Sequence, residues 1–115
     1  MGWFSKSTKG FFLSTTTPEG LTRSQYLGVV NGEAIIGANI LRDLFSSVRD
    51  VVGGRAGGYE RALAGARDAA MEGLIEAAKE LGADGVIGID FDYEVLGETN
   101  GMMMVAVSGT AVKLG

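Results

Sequence analysis

Hydrophobic and polar residues in the N-terminal third of the chain follow the pattern of β-strands. Phe11 to Thr16 is a short strand candidate that ends at the turn-rich cluster Thr17–Gly20. Tyr26 to Ile36 is rich in apolar and β-branched residues, and Gly28 and Gly32 interrupt it. This segment predicts a second strand that contains a bulge.

The middle of the chain changes to spacings of three and four, which predict two amphipathic helices. The shorter helix follows the N-cap candidate Asn39 and ends at Gly53-Gly54; its apolar stripe is Ile40, Leu41, Leu44, Phe45, Val48, Val51 and Val52. The longer helix ends near Gly82, a candidate left-handed residue; its stripe is Tyr59, Leu63, Ala66, Ala70, Leu74, Ala77 and Leu81. Alanine fills much of this stripe, so a neighbouring element can approach closely.

The last third returns to a period of two over residues 84–96. One face is predicted to carry Ile87, Ile89, Phe91, Tyr93 and Val95, and the other Gly88, Asp90, Asp92 and Glu94. Asn100-Gly101 is a hairpin turn signal, and Met102 to Leu114 is the returning strand.

These elements predict an α+β domain with the order β-β-α-α-β-β. A small, mostly antiparallel sheet would pack on a long helix plus a shorter helix. The chain has 115 residues, which is typical of one domain. We expect residues 1–10 to form a flexible arm and residues 11–115 to form the domain. The 19 dispersed glycines favour tight turns and close backbone contacts.

Composition excludes several classes of function. The net charge is −4, whereas binding to nucleic acid relies on clustered Lys and Arg. Cysteine and histidine are both absent, which excludes disulfides, Cys/His zinc sites and histidine acid–base catalysis. No apolar run approaches the ~20 residues that span a bilayer. The N-terminus also lacks the apolar core of a signal peptide, and we therefore expect a cytoplasmic protein that does not bind membranes.

Asp90, Asp92 and Glu94 are candidate ligands for a hard divalent cation, because three carboxylates project from one strand face. Residues two apart on a strand are separated by ~6.7 Å. Two oxygen ligands of one ion lie at most ~4.6 Å apart. A second strand, a bulge or a neighbouring subunit would therefore have to close such a site. The alternative is a solvated face or one paired with arginines.

Glu33 is a further candidate ligand on an otherwise apolar strand, although it could equally pair with Arg42 or Arg49. The only soft donors are methionines. In Met102-Met103-Met104 the middle side chain takes the opposite face from the other two, so packing is the better interpretation.

A glycine-rich segment precedes the long helix and could bind an anion. Gly54, Arg55, Gly57 and Gly58 would supply backbone amides and a guanidinium group, and Arg61 a second one. No Walker or dinucleotide-binding motif is present. The alternative is a tight connection between two packed helices.

Short motifs along residues 11–114 together resemble one family in their order and spacing. They are Ser14-Thr15-Thr16, Tyr26-Leu27-Gly28-Val29-Val30, Gly32-Glu33-Ala34, Gly37-Ala38-Asn39, Arg49-Asp50-Val51-Val52-Gly53-Gly54-Arg55, Leu81-Gly82-Ala83-Asp84-Gly85-Val86-Ile87-Gly88, Asp92-Tyr93-Glu94 and Ser108-Gly109-Thr110-Ala111-Val112. The chain resembles the YbjQ family of small bacterial proteins, which carry a heavy-metal-binding label. The resemblance implies a dodecin-like subunit, assembly into rings that are typically pentamers, and no established function. Residues 1–10 extend beyond the usual start of the family.

No nucleophile with a matching base is evident, and we therefore expect a protein that is not an enzyme. A homo-oligomer that acts as a ring scaffold or small-ligand carrier is the leading hypothesis. A metal-ion-binding protein that uses the carboxylates is the alternative.

Overall fold

The computed structural model describes residues 10–21, 25–37, 57–96 and 102–114. Those residues form four strands and one helix: β1 (Phe12–Leu13), β2 (Tyr26–Ile36), α1 (Gly57–Glu80), β3 (Gly85–Leu96) and β4 (Met102–Val112). The predicted shorter helix, the Asn100-Gly101 turn and the arm of residues 1–10, apart from Gly10, lie outside the described residues. The long helix, the second strand and the two C-terminal strands were predicted correctly.

The four strands form one mixed sheet in the order β1-β3-β4-β2. The central strand β4 runs antiparallel to both β3 and β2, whereas β1 pairs with β3 in parallel. The first strand is shorter than predicted. Beyond Leu13, the hydroxyl of Ser14 accepts a hydrogen bond from the Thr16 amide at 3.0 Å and turns the chain away from the sheet.

One face of the sheet is covered by α1, which packs mainly against β2 and β4. The closest approach is at Gly32 of β2. A Cβ built on this glycine would lie 2.7 Å from the Leu74 amide nitrogen and closer still to the Ala70 carbonyl oxygen. Gly73 of α1 faces the same point, where an added Cβ would be 3.5 Å from the Gly32 Cα. The small residues predicted to permit close packing therefore bring helix and strand backbones into contact.

The hydrophobic core lies between α1 and this face of the sheet. Helix residues Ala66, Ala70 and Leu74 are buried as predicted. A second row of helix side chains, which the sequence analysis missed, is buried beside them: Met71, Ile75 and Ala78. The strands contribute Val30, Ile36, Val86, Ile89, Val105, Val107 and Ala111. Leu81, predicted as the last core residue of the helix, is exposed because it lies in the turn after Glu80.

The C-terminal end of α1 confirms the predicted role of Gly82. This residue has a φ of +81°, its amide donates to the Lys79 carbonyl, and the Ala83 amide donates to the Ala78 carbonyl. This is the pair of hydrogen bonds of a Schellman motif. The motif reverses the chain so that β3 begins three residues later, at Gly85.

A bulge in β3 corrects the predicted alternation of this strand. Ile87 pairs with Thr110 and Asp90 pairs with Ser108, so Gly88 and Ile89 together face one residue of β4. Gly88 has a φ of +63°, a backbone conformation that glycine adopts without strain. As a result, Ile87 lies on the opposite face from Ile89, and Gly88 belongs to the bulge and not to the acidic face. The bulge predicted in β2 is confirmed by a register shift between Tyr26 and Gly28.

Within the described ranges, no helix is both long enough and apolar enough to cross a membrane.

Candidate functional site

The sheet face away from α1 carries the predicted acidic residues of β3. Asp90, Asp92 and Glu94 are all exposed and follow the bulge. Their partners in the adjacent strand β4 are Ser108, Ala106 and Met104, respectively. The bulge determines this arrangement. Gly88 and Ile89 together face one residue of β4, and this extra residue shifts which side chains after it lie on which face. We refer to this surface as the helix-free face.

Strand β2 adds the fourth predicted carboxylate to the helix-free face. Glu33 is exposed and pairs with Ala106, the same residue that Asp92 pairs with from the other side. The neighbouring residues of β4 likewise pair with one residue of β2 and one of β3. Asn31 lies across Ser108 from Asp90, and Ile35 lies across Met104 from Glu94. The structure thus brings all four candidate ligands to one surface.

The spacing of these carboxylates does not suit a single metal ion. Asp92 and Glu33 are two strand spacings apart, about 9.6 Å between backbones, and Asp90 and Asp92 are ~6.7 Å apart along the strand. Oxygen ligands of one hard cation need to lie within ~5 Å of each other. Within the described ranges, no group of three or more Asp and Glu residues is positioned to bind a metal ion.

Soft metal ions fit this surface less well. The whole chain lacks cysteine and histidine, so the thioether of methionine is its only soft donor. Met102 and Met104 are on the helix-free face, while Met103 packs against the core from the other side. The donor set is therefore one of oxygen atoms, which favours hard cations such as Ca²⁺ or Mg²⁺.

The predicted anion site is only partly described. Gly54 and Arg55 lie outside the described residues. Gly57 and Gly58 belong to the first turn of α1 and not to a loop before it, and Arg61 is exposed on the next turn. Glu60 places a carboxylate in that first turn, where it competes with an anion for the helix N-terminus.

The sequence analysis missed a group of exposed apolar side chains. On the helix-free face, Val29 is 76% exposed and Ile35 is 57% exposed. On the other face, beyond the part of β3 that α1 covers, Val95 is 65% exposed. Tyr93 beside it is held by a 3.5 Å hydrogen bond from Arg67 of α1. A period-two pattern assigns an apolar side chain to a face, but it does not show whether anything covers that face.

As far as the structure describes the chain, both outer edges of the sheet also lack a partner strand over much of their length. Among the described residues, no strand pairs with the outer edge of β2. At the other side, β1 pairs only with Gly85 and Val86, and the Ser14 carbonyl then accepts a hydrogen bond from the Ile89 amide. Residues 90–96 of β3 consequently form a second unpaired edge within the described part of the chain.

Comparisons with known proteins agree with this architecture. A family model described as "putative heavy-metal-binding" matches residues 11–115. The chain is also similar to the crystal structure of a protein of unknown function that belongs to the DUF74 family of Pediococcus pentosaceus. The TM-score is 0.60 at 19% sequence identity, over 92% of this chain and 99% of the other. At this identity the likeness establishes the α+β fold alone.

Proposed function

The chain belongs to the YbjQ family, and from this membership we propose that it is a non-enzymatic homo-oligomer, most simply a pentamer, whose ring acts as a scaffold or small-ligand carrier. Its principal partner is a second copy of itself. The acidic net charge of −4 favours neither nucleic acid nor an anionic membrane surface as a partner. We place the ring in the cytoplasm.

The observation that carries the proposal is the exposure of two large apolar side chains of β2 on the helix-free face. Val29 and Ile35 of β2 are 76% and 57% exposed on the helix-free face. Full burial of a Val or Ile side chain contributes about 1.5–3 kcal/mol. An interface over this face would therefore gain several kcal/mol per subunit from these two side chains alone.

Several described polar side chains stabilise turns and chain segments through their hydrogen bonds. The Ser14 hydroxyl bonds within its own turn to Thr16, and the Asp84 carboxylate accepts a hydrogen bond from the Leu114 amide at 2.8 Å. Lys113 donates to the Gly82 carbonyl at 3.2 Å. Each of these contacts fixes a turn or a chain segment. The non-enzymatic role itself is proposed from the sequence, in which no nucleophile with a matching base is evident.

Light scattering coupled to size-exclusion chromatography tests the assembly. The 12.0 kDa chain is expected to elute as a species of about five times that mass. Val29→Lys should shift the species toward the monomer, because a lysine at this position would need its charge buried at the interface. Ala69→Lys is the matched control, since it adds the same charge at an exposed position of α1. A monomeric parent at micromolar concentration would refute the proposal.

Metal binding is the second candidate, favoured by the four carboxylates on the helix-free face. Because their spacing within one chain is too wide, a site would need to be completed by a neighbouring subunit. The ion would be hard and weakly held, and chelator dialysis should remove it. Stoichiometric nickel, copper or zinc that survives such dialysis would contradict this assignment of the ion.

A further inference from the structure

We draw no further inference here: the strongest candidate, the groove on the C-terminal half of α1 that Glu72, Ile75, Glu76 and Lys79 line, is bounded by exposed charged side chains of the helix, and nothing in the described part of the structure shows what covers it.

Discussion

Gly32→Ala should be among the most damaging small substitutions in the chain. The added methyl group would enter the contact between β2 and α1, 2.7 Å from the Leu74 amide nitrogen and closer to the Ala70 carbonyl oxygen. These neighbours are helix backbone atoms, which cannot rotate away as a flexible side chain does. The helix would have to move off the sheet, and the core would lose packing along its length.

The expected cost follows from the behaviour of overpacked cores. One extra methylene in a well-packed core costs about 1–3 kcal/mol, and a clash with backbone belongs at the upper end of that range. For a domain of this length, 1 kcal/mol changes the melting temperature by roughly 4 °C. Gly32→Ala should therefore lower the melting temperature by about 10 °C.

Gly65→Ala is the matched control for this experiment. Gly65 is in α1, where an added Cβ meets nothing within 4 Å, and alanine is favoured over glycine in a helix by about 1 kcal/mol. This variant should melt slightly above the parent. Both would be compared by thermal unfolding at one protein concentration, because assembly makes the melting temperature depend on concentration. A Gly32→Ala variant that melts within about 2 °C of the parent would refute the close approach of helix and strand.

Two other substitutions test the bulge and the acidic residues. Gly88→Ala places a Cβ on a residue with a φ of +63°, and the cost of about 1–2 kcal/mol should lower the melting temperature by roughly 4–8 °C; an unchanged melting temperature would contradict the bulge. The triple variant Asp90→Asn, Asp92→Asn and Glu94→Gln should keep the mass of the assembly and melt within a few degrees of the parent, because isolated surface charges contribute ~0–1 kcal/mol. A stabilisation of the parent by Ca²⁺ or Mg²⁺ of roughly ten degrees that disappears in the triple variant would favour the metal-binding alternative.

The sequence was most informative where a pattern was long and its signals agreed. Helix α1 has a sustained stripe, and Gly82, the predicted left-handed residue after it, ends the helix in a Schellman motif. Strands β3 and β4 were predicted on either side of a turn signal, and the structure pairs them antiparallel. The number of helix side chains that the sheet covers was harder to predict. Met71, Ile75 and Ala78 lie beside the predicted stripe, and they are buried only because the sheet extends beneath them as well.

The candidate site was predicted in its residues and not in its geometry. Asp90, Asp92, Glu94 and Glu33 share a face, but strand order alone determines that β4 separates Glu33 from the other three. Gly88 contained a signal that was not used, since an isolated glycine within a strand pattern often marks a bulge. Ile87 was assigned to the wrong face for that reason.

The position of β4 also governs the route by which the chain folds. This strand is at the centre of the sheet, yet it follows β2 and β3 in the chain. Strand β2 therefore cannot pair until β4 is present, as the pair Val29 and Thr110 illustrates. Among the described strand pairs, only β3 and β4 are neighbours in the chain, and pairings between distant segments form slowly because loop closure must precede them. We expect the β3–β4 pair to form first and α1 to pack against it next. Strand β2 is synthesised earlier, but it would dock last.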